Sequence, residues 1–275
     1  IAEESIPISS TTSKIRVAPA QISHDIPIPN PPDLLPHVLN DYPLEEIFEF
    51  INPQMLYVRH LGYRGRWEDA IKSKDENAIK LMNSVQSVKD EILSKNLLTA
   101  NAIFKFFPCN SDENSILIKA NTQDQQSHKL TFGRQSERDG LCLSDFVMPT
   151  SASITDYTCM FLTTVGTDVI SISEQWKEEG RFLDSHILQV LALESAEGFA
   201  ELLHQKIRTM WGIGDLDNTT FTDLHRANYH GKRYSFGYPA CPRLEDQTLL
   251  FDLLDVSRNL NVDLTEGYMM DPEAS

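Results

Sequence analysis

Apolar positions fall into two different rhythms along this chain, and the change of rhythm predicts its layout. After Asp41-Tyr42-Pro43, where Asp can cap and Pro can open a helix, Leu44, Ile47, Phe48 and Ile51 mark one helical face. Asn52-Pro53 breaks that helix, and a second short helix carries Met55, Leu56 and Val58. After a turn at Gly62–Gly65, Ile71, Ala78, Leu81, Met82, Val85, Val88 and Ile92 recur at helical spacing and predict one long helix from Glu68 to Lys95. The middle then reads as strands: Ala102–Phe107 ending at Pro108, Ser115–Lys119, His128–Phe132, Leu141–Phe146 and Tyr157–Val165. The helical rhythm returns over Val169–Glu179 and over Asp184–Trp211. The second of these is apolar on more than one face, as expected for a helix packed deep against a sheet. Thr222–Ala227 predicts a short helix and Leu244–Leu260 an amphipathic one. Val262–Tyr268 reads as a strand lacking its continuation. The predicted class is α+β: a twisted antiparallel β-sheet flanked by helices, with a helical N-terminal portion.

Residues 1–36 hold none of this periodicity. Their Ser, Thr, Ile and Pro content, with Ile26-Pro27-Ile28-Pro29-Asn30-Pro31-Pro32 inside it, predicts a linker or an extended strap, followed by a single domain over 37–275. The first residue is Ile and the last four are Pro272-Glu273-Ala274-Ser275, so a piece of a longer chain is expected.

Forty acidic against 24 basic residues give a net charge of −16, which argues against wrapping a nucleic-acid backbone. An anionic ligand must then be held by a local cation. Four widely spaced cysteines form no CxxC pair, and no apolar run approaches a membrane span, so a cytoplasmic setting is expected. The eight histidines form no HxxxH or HExxH, and metal ligation has no support. Adjacent carboxylates such as Glu45-Glu46 point apart on a helix, and no nucleophile elbow, P-loop or GxGxxG occurs. His204, on the deep helix, reads as a packing residue. No side chain is nominated as acid, base or nucleophile.

One segment stands outside both rhythms. Gly231–Pro242 combines two Gly, two Pro, three aromatics and an Arg between helical patterns. Pro excludes helix there, and positioned loops concentrate binding residues. Arg233 can grip a carboxylate through two parallel donors, Gly237 lets backbone approach a ligand, and Tyr238-Pro239 offers a rigid aromatic wall. These features suit a small amphoteric ligand with an anionic end and a flat ring. They suit equally a Pro-stiffened connection whose aromatics pack on the sheet.

Arg233-x-x-x-Gly237-Tyr238-Pro239-Ala240-Cys241-Pro242 resembles the RxxxGYPACP signature of the activation domain of cobalamin-dependent methionine synthase. Leu141–Val147, Ala196–His204 and Leu264–Met270 agree in the family's order, and Ile51–Gly65 resembles its early substrate-side segment. The likeness covers roughly residues 40–275. It implies an S-adenosylmethionine groove beside a twisted antiparallel sheet, in the C-terminal module of an enzyme that moves a methyl group from methyltetrahydrofolate to homocysteine. That module supports reductive methylation of cob(II)alamin, with an electron from flavodoxin or a flavoprotein reductase and the methyl from S-adenosylmethionine. Such a reaction asks the protein chiefly to hold a nucleophilic cobalt and a sulfonium methyl in line, which accords with the lack of catalytic side chains. The resemblance implies Arg233 as a principal S-adenosylmethionine ligand, with Gly237, Tyr238 and Ala240 as loop contacts. Glu197 matches a helix Glu near the groove. Asn52 stands where the family often has Asp, so it keeps a hydrogen-bond acceptor but no charge. Cobalamin would be held by another module of the parent chain and zinc by a further one, and the family's chain continues past Ser275. The fragment alone is expected not to turn over. Two further readings compete, a free-standing S-adenosylmethionine-binding or docking module and an acidic interaction module without a small ligand.

Overall fold

The computed structural model describes residues 22–275, apart from 122, 124, 125, 136–139, 167 and 218 and the side chains of Thr222 and His225. The first 21 residues of the expected strap, and residues 136–139, lie outside the described residues.

Strand β2 (Ala100–Asp112) is the axis of a five-stranded antiparallel sheet. One edge pairs along its length with β5 (Asp156–Val165), from Ala100 opposite Val165 to Cys109 opposite Asp156. The other edge takes β1 (His37–Leu39) at Ala102–Phe104. Further along, that edge takes β3 (Ser115–Ile118), which pairs in turn with β4 (His128–Thr131). Because side chains alternate across a strand, Ala102, Phe104 and Phe106 enter one core while Ile103, Phe107 and Cys109 enter another. Both faces are covered, which is why the middle of β2 reads as an apolar run interrupted only by Lys105 between Ala102 and Cys109.

The first core holds α1 (Leu44–Glu49), α3 (Glu76–Lys95), α4 (Val169–Glu178) and α5 (Phe182–Met210). Helix α5 lies between the sheet and its helical neighbours, with Ile187, Leu188, Leu191, Phe199 and Leu203 almost fully buried. The second core is covered by α7 (Gln247–Leu254) and α8 (Val256–Leu260), through Phe251, Leu254, Val256 and Leu260. Helices α2 (Trp67–Lys72) and α6 (Phe221–His225) complete the set, with the hairpin β6 (Asp263–Leu264) and β7 (Met270–Asp271).

The α+β sheet-and-helix architecture is the expected one, and several boundaries move for local reasons. The long helix expected from Glu68 is two, α2 and α3. Lys74 turns left-handed at φ 58°, and the Asp75 carboxylate accepts from Ala78 N at 2.9 Å, starting a new helix with its own cap. Likewise Asp255, at φ 50°, divides the helix expected over Leu244–Leu260 into α7 and α8, after a short 3-10 turn at Leu244–Asp246. Pro108 does not end β2. Its carbonyl accepts from Lys119 N just beyond the end of β3, so the missing N–H falls where no ladder bond is required. Leu141–Phe146 is no strand: Leu143–Phe146 forms a 3-10 turn closed by Asp145, which accepts from Cys142 N and pairs with Arg134. The segment Val262–Tyr268 has its continuation after all, folding back at Thr265–Met269 so that β6 meets β7. The sheet also begins before Asp41, because β1 precedes it.

Residues 22–36 contain no helix or strand and lie on the domain. Trp211 Nε1 donates to Pro29 O at 2.9 Å, His24 Nε2 to Asp145 O at 3.0 Å, and Leu34 packs on the first core.

Candidate functional site

Helix α5 carries charge along one stripe of an otherwise apolar body. Glu197, Glu201, His204 and Arg208 follow one another at four, three and four residues, the spacing that stacks side chains on one helical face. Buried charges persist only when paired; the loop after α6 supplies a partner for the two glutamates through Arg233, and Asp215, before α6, supplies one for Arg208. From Tyr229 to Tyr234 exposure alternates: Tyr229, Gly231 and Arg233 are partly covered while His230, Lys232 and Tyr234 are exposed. Tyr229, Gly231 and Arg233 therefore face α5 along a bent segment that turns left-handed at Gly231, φ 73°. Its start meets Arg208 and His204, and its end meets Glu201 and Glu197.

At that end, Arg233 Nη2 pairs with Glu197 and, at 3.3 Å, with Glu201 Oε2, to which its Nε also donates at 3.4 Å. Burial works against the charged guanidinium, but Glu197 and Glu201 outweigh it and hold Arg233 above its ordinary pKa. The two carboxylates differ. Glu197 is 65% exposed at its side chain, whereas Glu201 is 11% exposed and its Oε1 has no hydrogen-bond partner among the described residues. The site thus presents a cation beside an excess of carboxylate, at the boundary of protein and solvent.

At the other end, the Arg208 guanidinium pairs through both terminal nitrogens with Asp215 and lies 4.0 Å over the Tyr229 ring. His204 packs its ring between Phe161 and Tyr229, and its Nδ1 has no partner among the described residues. Burial, then the charges of Arg208 and Arg233, drive His204 down to about 3, against a hydrogen bond with the Gly231 backbone and the charge of Asp215. It is a neutral imidazole at physiological pH. Burial and the Glu201 charge push the Tyr229 phenol up to about 12, although Arg233 and Arg208 oppose them.

The remainder of the loop folds on itself. Gly237 N donates to Cys241 O and Cys241 N to Tyr238 O, both at 2.9 Å, which closes Tyr238-Pro239-Ala240-Cys241 as a tight turn. The buried Cys241 thiol donates to Ser235 O at 2.9 Å, and Gln135 Nε2 ties Pro239 O from outside at 2.7 Å. Gly237 adopts φ 88°, and a Cβ there would come within 2.9 Å of Leu244 Cδ2. Tyr238 stands 65% exposed, and Ala240 is half-buried at the turn.

Asn52 enters from a separate element. Its side chain accepts from Gln54 N at 3.0 Å, an Asx turn opening the π-helix Gln54–His60. Ile47–Ile51, just before it, press on α5 at Gly198, beside Glu197. The π-helix ends at His60, whose Nε2 meets the buried Glu194 at 2.8 Å. So Gly237, Tyr238 and Ala240 share a loop with Arg233, and Asn52 reaches the same part of α5 through its backbone neighbours. Its own side chain is committed to its local turn.

Glu201, Arg208, Asp215 and Tyr229 escaped the reading of the sequence. A usable signal existed for two of them, since Glu201 and Arg208 break the apolar surface of a deep helix and must be paired to stay there. Two surface clefts lie elsewhere, one along α3 at Ile79, Asn83 and Ser87, the other between β4 and α7 at Lys129, Arg243 and Thr248. Neither includes Arg233.

Two likenesses to known proteins bear on this site. A family profile described as "Vitamin B12 dependent methionine synthase, activation domain" matches residues 43–275. The crystal structure of the MetH reactivation domain bound to AdoHcy is similar in fold at a TM-score of 0.82 and 24% identity, over 90% of this chain and 78% of that one.

Proposed function

Since the chain belongs to the activation-domain family of vitamin B12-dependent methionine synthase, we propose that it binds S-adenosylmethionine along the seam between α5 and the loop Tyr229–Pro242. The observation that carries this reading is Arg233, a guanidinium at the protein boundary paired with Glu197 and with Glu201 Oε2, while the buried Glu201 Oε1 has no partner among the described residues. S-adenosylmethionine is amphoteric in the matching sense, with a carboxylate, an ammonium and a sulfonium. Arg233 holds the carboxylate through charge-assisted bonds. The acidic side chains offer the cationic groups their acceptors. Gly237, Tyr238 and Ala240 form the loop wall, with the exposed Tyr238 ring available to cover a flat base. Asn52 Oδ1 already accepts from Gln54 N and has a second lone pair, through which it contributes an uncharged acceptor from the segment against Gly198. The related reactivation domain with AdoHcy bound supports the same choice of ligand class.

Within a parent methyltransferase, this module would then support reductive methylation of cob(II)alamin. Cobalamin, bound by another module of the same chain, supplies the nucleophilic metal. The residues of this chain bind and orient the methyl donor. The electron donor is a flavodoxin or flavoprotein reductase, and the setting is cytoplasmic. A net charge of −16 requires any acidic donor protein to dock through a local basic patch, for which Lys232 and Arg243 are exposed.

Calorimetric titration with S-adenosylmethionine tests the ligand. The protein is expected to bind, and Arg233→Ala to bind about 100-fold more weakly, because charge-assisted hydrogen bonds contribute about 1.5–3 kcal/mol. Absence of binding heat, or equal affinity in the variant, overturns the assignment.

A further inference from the structure

We propose that the Arg208–Asp215 ion pair is the positioning element of the site, setting the register in which Arg233 meets α5. The proposal rests on the ligand reading above only for what Arg233 holds, not for the clamp itself.

Arg208 is 1% exposed at its side chain, and both terminal nitrogens are committed to the two oxygens of Asp215. Asp215 is fixed in turn by Gln205 Nε2 at 3.0 Å, and Arg208 O accepts from Ile213 N at 2.9 Å. The pair therefore pins the segment leaving α5. Its flat face does a second task, lying 4.0 Å over the Tyr229 ring while that ring sits edge-on to His204 at 5.2 Å. Gly231 completes the contact: a Cβ there would meet Ile213 Cδ1 at 3.0 Å and Arg208 Cδ at 3.4 Å. Arg208 thus touches both residues that face α5 before Arg233, two and four positions upstream of it. Gly231 turns left-handed at φ 73°, so the chain bends between Tyr229 and Arg233. Holding Tyr229 and Gly231 against Arg208 fixes where that bend delivers Arg233 onto α5.

The choice of residue fits this task. A buried ion pair adds little net stability over well-packed apolar side chains, so stability alone does not explain a buried arginine here. A guanidinium, unlike an ammonium, offers a two-pronged edge and a stacking face at once.

The test uses S-adenosylmethionine and its decarboxylated analogue, which lacks the group assigned to Arg233. Asp215→Asn is expected to weaken S-adenosylmethionine about tenfold and the analogue less than twofold, so the preference for the carboxylate collapses. Equal weakening of both ligands, or no weakening, overturns the proposal. Tyr229→Leu removes the stacking face and leaves the ion pair intact, and it is read in the same way if Asp215→Asn does not fold. Amide exchange without ligand separates the two readings. Exchange over 229–234 is expected to rise at least tenfold in either variant while β2 and β5 stay unchanged, and an unchanged 229–234 overturns the clamp. A wild-type protein that shows no preference between the two ligands sinks the ligand assignment instead.

Discussion

From Tyr229 to Arg233 the loop is fastened to α5 by buried charge and stacked rings, whereas from Tyr234 to Pro242 it is closed chiefly by its own backbone. The first half depends on residues distant in sequence, Arg208 and Asp215 among them. The second depends on Gly237 and on the turn Tyr238–Cys241. A binding loop can be rigid by either means, but the two fail differently. Losing one buried charge leaves its partner uncompensated, while losing one turn residue costs only the local conformation.

The largest expected effect follows from that asymmetry. Asp215→Ala strands the buried Arg208 and should lower unfolding stability by about 3–5 kcal/mol, seen as a lower urea midpoint. A shift comparable to that of a surface substitution would erase the contrast between the halves. Next comes His204, which the fold holds neutral down to about 3, against an ordinary 6.5. The unfolded chain takes up the proton first. The stabilisation is therefore complete above pH 6.5 and is lost as pH falls toward 3, by up to about 1.4 kcal/mol per pH unit for one proton. His204→Asn should reduce the slope of stability against pH between 6.5 and 5.5, above the ordinary carboxylate pKa values of about 3.9–4.3. An unchanged slope would show that the fastened half does not sense acid through this ring.

In the self-closed half the effects are smaller. Gly237→Ala places a side chain at φ 88° and against Leu244, for a loss of about 1–2 kcal/mol in thermal unfolding. A neutral result would mean that the turn relaxes freely. Smallest of all, Tyr238→Ala should change stability by less than about 0.5 kcal/mol, since its ring is 65% exposed. A larger loss would show that the ring supports the turn and is not simply available to a ligand.

The same division explains what could be read from residues alone. The irregular loop that carries Arg233, Gly237 and Tyr238 was legible because Pro, Gly and aromatics break the helical rhythm within one short stretch. Sheet and helices were legible wherever one face is apolar over several turns, as in β5 and α5. Asp75 and Asp255 were missed as helix breaks because the apolar rhythm runs on across them, and a cap or a left-handed residue outweighs it locally. Pro108 misled because a strand tolerates proline where its missing donor would point beyond the end of the neighbouring strand, here past Ile118. Glu201 and Tyr229 were illegible for another reason. Their roles exist only once the loop carrying Tyr229 lies along the helix carrying Glu201, 28 residues earlier by their numbering.

Gly198 has a practical consequence for anyone redesigning this domain. A methyl group there would stand 3.2 Å from Ile47 O and 3.4 Å from Ile51 N, whereas Gly62, Gly180 and Gly212 face open space. In a saturation library Gly198 should therefore tolerate little but glycine or alanine. The alanine variant would move the Asn52 segment outward by a few tenths of an ångström. That makes it a fine adjustment screw for the position of Asn52, with the identity of every residue assigned to the ligand unchanged.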